Sequence, residues 1–262
     1  MKGGLIKTYH SIDIIPYPAS ASQISEAIAN GGRNTWDYWH LIPNKRPVVG
    51  PPEVKSQIID LPGGNGFIDL SELITGDVIY GQRQGSWQFI AHPDYTDPQP
   101  WQWKYQDIMQ YLHGRQHMVI LEDDPFYYYI GRLKVNQWDS GPNWSQVTID
   151  YTLQPFKKEI IDSTEPWKWD PFSFVNGIIR SYSGITLNNE TKTITIRTGA
   201  ETLIPTFIVN SGDTIWVTFN GVEYPLSNDS NTFNAIKFKN GDNVLSVRGT
   251  GHLTISFRGG WL

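Results

Sequence analysis

Ile59-Asp60-Leu61-Pro62-Gly63-Gly64-Asn65-Gly66-Phe67-Ile68-Asp69-Leu70-Ser71-Glu72-Leu73-Ile74-Thr75-Gly76, followed closely by Tyr80-Gly81-Gln82-Arg83-Gln84-Gly85-Ser86-Trp87-Gln88-Phe89, is the stretch on which the reading of this chain turns. Pro62 fixes its own φ, and the glycines and Asn65 after it tolerate φ > 0, which a tight reversal needs and a helix or central strand would not accept. The stretch therefore reads as two strands around a glycine-rich corner, then a third strand. A phosphate-cradling loop would need a Lys-Ser/Thr pair and a helix next; the residues that follow alternate as in a strand instead.

Outward from that corner, aromatic residues make up 13 % of 262 residues, and 24 Gly and 17 Pro break the chain at short intervals, so two all-β units are expected rather than long helices. Residues 5–15 read as an opening strand. Ser20 to Gln23 has the form of a capping box for a short helix ending at Gly31-Gly32. Trp36 to Leu41 is a β-prone aromatic run, and Pro43, Pro47, Pro51 and Pro52 make 43–52 an exposed arm or edge. Trp87, Phe89 and Ala91 mark a half-buried strand, and 95–103 reads as a Pro/Asp loop. A second helix over 105–113 turns Tyr105, Ile108, Met109 and Leu112 to one side and ends at Gly114. Strands then follow at 117–122, 126–133 and 147–153. The period is lost over 156–175, where a boundary is expected. Beyond it come strands at 193–197, 203–209, 214–219, 222–226, 234–238, 243–247 and 253–257, with Asn220-Gly221 and Asn240-Gly241 as hairpin signals.

Pro62, Gly63, Gly66, Asp69, Leu70, Ser71, Leu73, Thr75, Gly76, Tyr80, Arg83, Gly85 and Phe89 meet a pattern that resembles the amino-terminal domain of siphophage distal tail proteins. Asn65 stands where the family often has aspartate, and Gln82 where it often has asparagine. A second block, Leu112-His113-Gly114, Asp123-Asp124-Pro125 and Tyr129-Ile130-Gly131-Arg132, is similar to the same family, so the likeness spans about residues 36 to 158. The ending Ser256-Phe257-Arg258-Gly259-Gly260-Trp261-Leu262 is similar to those of two-domain members, whose second domain is a galectin-like sandwich.

The resemblance implies a mainly β protein: a split or open β-barrel-like ring-forming domain with one or two short helices at 1–160, a linker at 161–175, and a galectin-like β-sandwich at 176–262. It implies a structural virion protein of a long non-contractile tail, forming a hexameric ring at the distal tip that joins the tail tube to the tail-fibre or baseplate hub. Expected partners are further copies of itself, the tail-tube protein, and a hub, fibre or receptor-binding protein. Pro62, Gly63, Gly66, Asp69, Tyr80 and Arg83 are the expected assembly residues. The protein would be made in the host cytoplasm and end at the virion tail tip.

The residues offer little chemistry beside that. Asp123-Asp124 before Pro125 reads as a turn, because neighbouring strand residues point to opposite faces. His113 and His117 have i, i+4 spacing, but Gly114 interrupts the helix between them and no third ligand is placed, so no metal site is expected. Ser71, Ser86 and Ser256 lack a nucleophile-elbow frame. No catalytic residue or cofactor is assigned, and no enzyme is expected. The net charge of −5, without a basic cluster, argues against nucleic acid. The first residues lack a signal-peptide core and no run approaches the ~20 apolar residues of a membrane helix, so no membrane insertion is expected and release would follow lysis. With no Cys, disulfides and thiolate sites are excluded. Trp216 shares a strand face with Thr214 and Thr218, and an aromatic ring there can stack a sugar. The alternative function is therefore a carbohydrate-binding module for the host surface, with Trp216 the candidate contact.

Overall fold

The computed structural model describes residues 10–73, 76–91, 101–141, 144–165, 182–210 and 212–262. The chain divides into two compact units, Met1–Pro155 and Phe156–Leu262. Expected features at 5–9, at Thr75, at 95–100 and over 166–175 lie outside the described residues.

In the first unit the strands are β1 (Ile12–Pro16), β2 (Arg33–Asn34), β3 (Leu41–Pro43), β4 (Ile58–Asp60), β5 (Phe67–Asp69), β6 (Arg83–Ala91), β7 (Gln116–Leu121), β8 (Tyr127–Ser140) and β9 (Ser145–Leu153). Seven of them pair antiparallel in the order β2-β1-β7-β8-β9-β6-β3, while β4 and β5 pair only with each other. The alternation read in the sequence decides which face is inside. Trp87, Phe89, Leu133, Val135, Val147, Ile149, Tyr151 and Leu153 line one core, joined by Ile12, Ile14, Val119 and Trp39. Helix α2 (Trp101–Leu112) closes it with Ile108 and Leu112, both wholly buried.

Several elements differ from their expected form. α2 begins at Trp101, so 101–103 is helix and not loop. Residues 35–39 are a turn rather than a strand, because the Asn34 side-chain oxygen accepts the N–H groups of Trp36 and Asp37 and bends the chain. α1 (Ile24–Asn30) follows a 3-10 turn at Ala21–Gln23, and no side chain caps it; Ser20 instead serves the Ser22 N–H.

In the second unit β10 (Lys157–Glu159) pairs with the terminal β17 (Gly260–Trp261). The remaining strands are β11 (Ile185–Thr198), β12 (Thr206–Val209), β13 (Thr214–Phe219), β14 (Val222–Leu226), β15 (Asp229–Thr232) and β16 (Gly241–Ser256). β11 and β16 form one long antiparallel ribbon. On β16's other edge, β13 pairs with its middle and β12 with its last part. The ribbon bends where β11 bulges between Asn188 and Glu190, opposite Gly249 and Gly251 at φ +135° and +131°. The sequence read a break there and expected two strands. The glycines instead keep one strand continuous, since a Cβ at Gly251 would strike the Asp213 carboxyl at 2.1 Å. Leu187, Ile196, Phe207, Val217, Phe238, Leu245 and Ile255 belong to the core of this unit.

Asn220-Gly221 makes the tight β13–β14 hairpin, with φ of 51° and 78°. Asn240-Gly241 is not a hairpin: it leads into β16, whose partner there is Thr198. The expected strand at 234–238 is a turn and a lone Leu203–Phe238 bridge, and the strand lies earlier, at β15. Among the described residues no helix is long and apolar enough to cross a membrane.

Candidate functional site

The opening stretch builds a protrusion. Lys55 N–H donates to Ile79 O at 2.9 Å and Gly81 N–H to Glu53 O at 2.6 Å, with Val54 and Tyr80 bridged between them. These few backbone bonds pinch a waist. Beyond it β4 and β5 run in register, Ile58 opposite Asp69, Ile59 opposite Ile68, Asp60 opposite Phe67, and turn over Gly63 and Gly66, both at positive φ. Asp69 explains itself locally: its carboxylate accepts from the Ser71 N–H and hydroxyl, and Ser71 Oγ accepts from the Gln57 N–H. The hydroxyl bond is the main reason its carboxyl titrates below the usual range.

Neither face of this hairpin meets a core. All six strand residues are exposed, and Phe67 and Leu73 stand 60 % and 75 % open. Ile58, Ile59, Leu61, Ile68, Val78 and Ile79 are exposed as well. Apolar side chains are thus gathered densely on one exposed protrusion, and a free two-stranded ribbon is marginal alone.

Arg83 is elsewhere and buried, at 3 % exposure. Its Nη1 donates to Gly50 O at 2.6 Å and its Nε to Pro155 O at 2.8 Å, while Nη2 has no hydrogen-bond partner. The guanidinium lies over the Tyr129 ring at 5.6 Å, and burial lowers its pKa. It thus ties the proline arm to the end of β9. Trp87 Nε1, donating to Val48 O, and Tyr151 Oη, accepting from the Gly50 N–H, add two more staples to the arm. Gly85 makes room: a Cβ there would lie 2.3 Å from the Tyr151 hydroxyl. So Pro62, Gly63, Gly66 and Asp69 belong to the protrusion, Tyr80 to its waist, and Arg83 to the anchored arm beneath. Burial of Arg83 and the openness of Phe67 and Leu73 had no signal of their own in the sequence, because both depend on what packs from far along the chain.

Trp216 is half-buried on β13, with the Arg248 guanidinium 4.5 Å over its ring. Arg248 holds Glu223 through Nε at 2.6 Å and Nη2 at 3.0 Å. One ring face is therefore already covered. The bond to Arg248 also keeps the Glu223 carboxyl below its usual range. Asp123 accepts from Arg46 and His10, and the Asp124 N–H and C=O close the turn with Leu121 and Tyr127. His117 is wholly buried, its ring nitrogens 3.1 Å from the carbonyls of Arg115 and Tyr111, whereas His113 is exposed at the end of α2. Among the described residues no group of three or more His, Asp or Glu is placed to hold a metal ion.

No protein-family model and no curated protein matches the chain. Among solved structures, the fold is similar to that of the SPP1 Dit (gp 19.1) protein, described as a paradigm of the hub adsorption apparatus in Gram-positive-infecting phages. The likeness has a TM-score of 0.59 at 14 % identity and covers 96 % of this chain and 99 % of that one. The chain therefore has a Dit-like fold, running through both of its units.

Proposed function

We propose that the chain is a structural component of a long non-contractile phage tail, forming a hexameric ring at the distal tip that joins the tail tube to the tail-fibre or baseplate hub. The observation that carries this is the protrusion on a Dit-like scaffold: a ribbon with apolar residues bare on both faces is marginal alone and would gain stability when another chain covers it. The first unit makes the ring, the second is a galectin-like domain, and the reading assigns no catalytic step. Light scattering and negative-stain imaging of the purified full chain test it. Rings with a central hole are expected, and Phe67→Asp with Leu73→Asp should leave a folded monomer. A wild-type chain that stays monomeric at every concentration would overturn the reading.

A second reading concerns the host surface. Trp216 with Arg248 and Glu223 presents an aromatic ring beside charged hydrogen-bonding groups, the combination that suits a saccharide. On this reading full-length protein binds host-wall glycans and Trp216→Ala does not; equal signals from both would dismiss it.

A further inference from the structure

Residues 56–82 carry four carboxylates, Asp60, Asp69, Glu72 and Asp77, and no Lys, Arg or His. The protrusion is thus acidic as well as apolar. The same unit holds a surface of opposite charge, itself partly apolar through Tyr80, Ile130, Leu153 and Pro155. A cleft of about 390 Å³ opens between the waist and the solvent face of β7, β8 and β9, lined by Lys55, Gln82, Gln116, Arg132, Thr152 and Gln154 among others. Gln116, Arg132 and Thr152 are in register across the three strands, on the face opposite Leu133. Arg132 Nη1 donates to Gly114 O at 2.6 Å, which holds its guanidinium at the cleft. Among the described residues no Asp or Glu lines it; the Glu53 side chain lies beside its Gly81, and the buried Arg83 donates to the carbonyl of its Pro155. Cations therefore outnumber carboxylates around this hollow, and its glutamines can serve both donors and acceptors of an incoming backbone. Among the described residues none of 56–73 or 76–79 lines it.

We propose that this cleft receives the acidic hairpin of a second copy of the chain, an inference that rests on the ring reading and gives that ring its acceptor. The charges complement each other, which favours encounter and fixes orientation. Donor and acceptor are different surfaces of one molecule, so the contact is head-to-tail, and repeating it closes a ring when the rotation allows.

The absence of cysteine makes the test clean. Asp60→Cys and Gln116→Cys, each otherwise wild type, are mixed and mildly oxidised. A disulfide-linked dimer bridging the two variants is expected, and its absence when rings are present overturns the proposal. Independently, Lys55→Glu with Arg132→Glu should weaken self-association by about tenfold or more, and adding Asp60→Lys with Glu72→Lys to the same chain should restore it. Should the double reversal fail to fold, Lys55→Glu alone keeps the test. Rings indifferent to the reversed cleft would refute the acceptor and leave the ring standing. A wild-type chain that never associates would remove both.

Discussion

Arg83 is a guanidinium taken out of water with no carboxylate partner among the described residues, held by two carbonyls and a ring face. Losing both bonds and leaving a hole should be costly, whereas an apolar side chain of similar length would fill the space and spare the desolvation of a lone charge. Arg83→Ala is expected to lower stability by about 3 kcal/mol and Arg83→Met by about half that, read from denaturant midpoints. His117 makes a pH prediction. Burial pushes its pKa below 6.5, so the unfolded chain takes up a proton that the folded chain refuses. Stability from this group is therefore intact above the free-histidine value and falls as pH drops through it; melting temperature should decline between about pH 7 and about pH 5, less steeply in His117→Gln. Neither role was legible locally. Arg83 meets Gly50 and Pro155, 33 and 72 residues away, and single-sequence patterns do not report such distances. The family pattern flagged Arg83 without saying what it holds.

At the scale of elements, the β4–β5 hairpin hangs from a narrow waist and has no core beneath it. Local opening should therefore cost little in the free chain. Limited proteolysis is expected to cut first within 56–73 of unassembled protein and to spare those bonds in assembled protein; equal cutting in both states would count against the hairpin as a contact. This element was readable because proline and glycine chemistry dictates a reversal whatever surrounds it. The strands of β6 and β9 were readable too, since one buried face imposes a period of two. Elsewhere long-range packing overrode the local sign. Gly249 and Gly251 punctuate the sequence but lie within β16, and polar Asp229–Thr232 is a strand because Asn231, buried, bonds Ser227 and the Phe207 carbonyl. The aromatic run at 36–41 bends because Asn34 captures its amides.

For the whole molecule, the expected two β-rich units agree with the Dit-like fold, which is met here at 14 % identity. Turn chemistry and alternation carried that part; the cationic cleft was invisible because its lining comes from five separate places in the chain. Association that joins acidic and basic surfaces should weaken with ionic strength, while the apolar hairpin residues hold part of it. Raising salt from about 0.05 M to about 0.5 M is expected to reduce, without abolishing, the ring fraction in sedimentation runs. The waist at 53–55 and 79–81 has a further consequence, for inheritance. If the hairpin is what one subunit recognises in the next, residues past that pinch could be exchanged without troubling the sheet below. Transplanting 56–78 from one relative into another would then carry kinship preference along with it, as a key can be recut without rebuilding the bow.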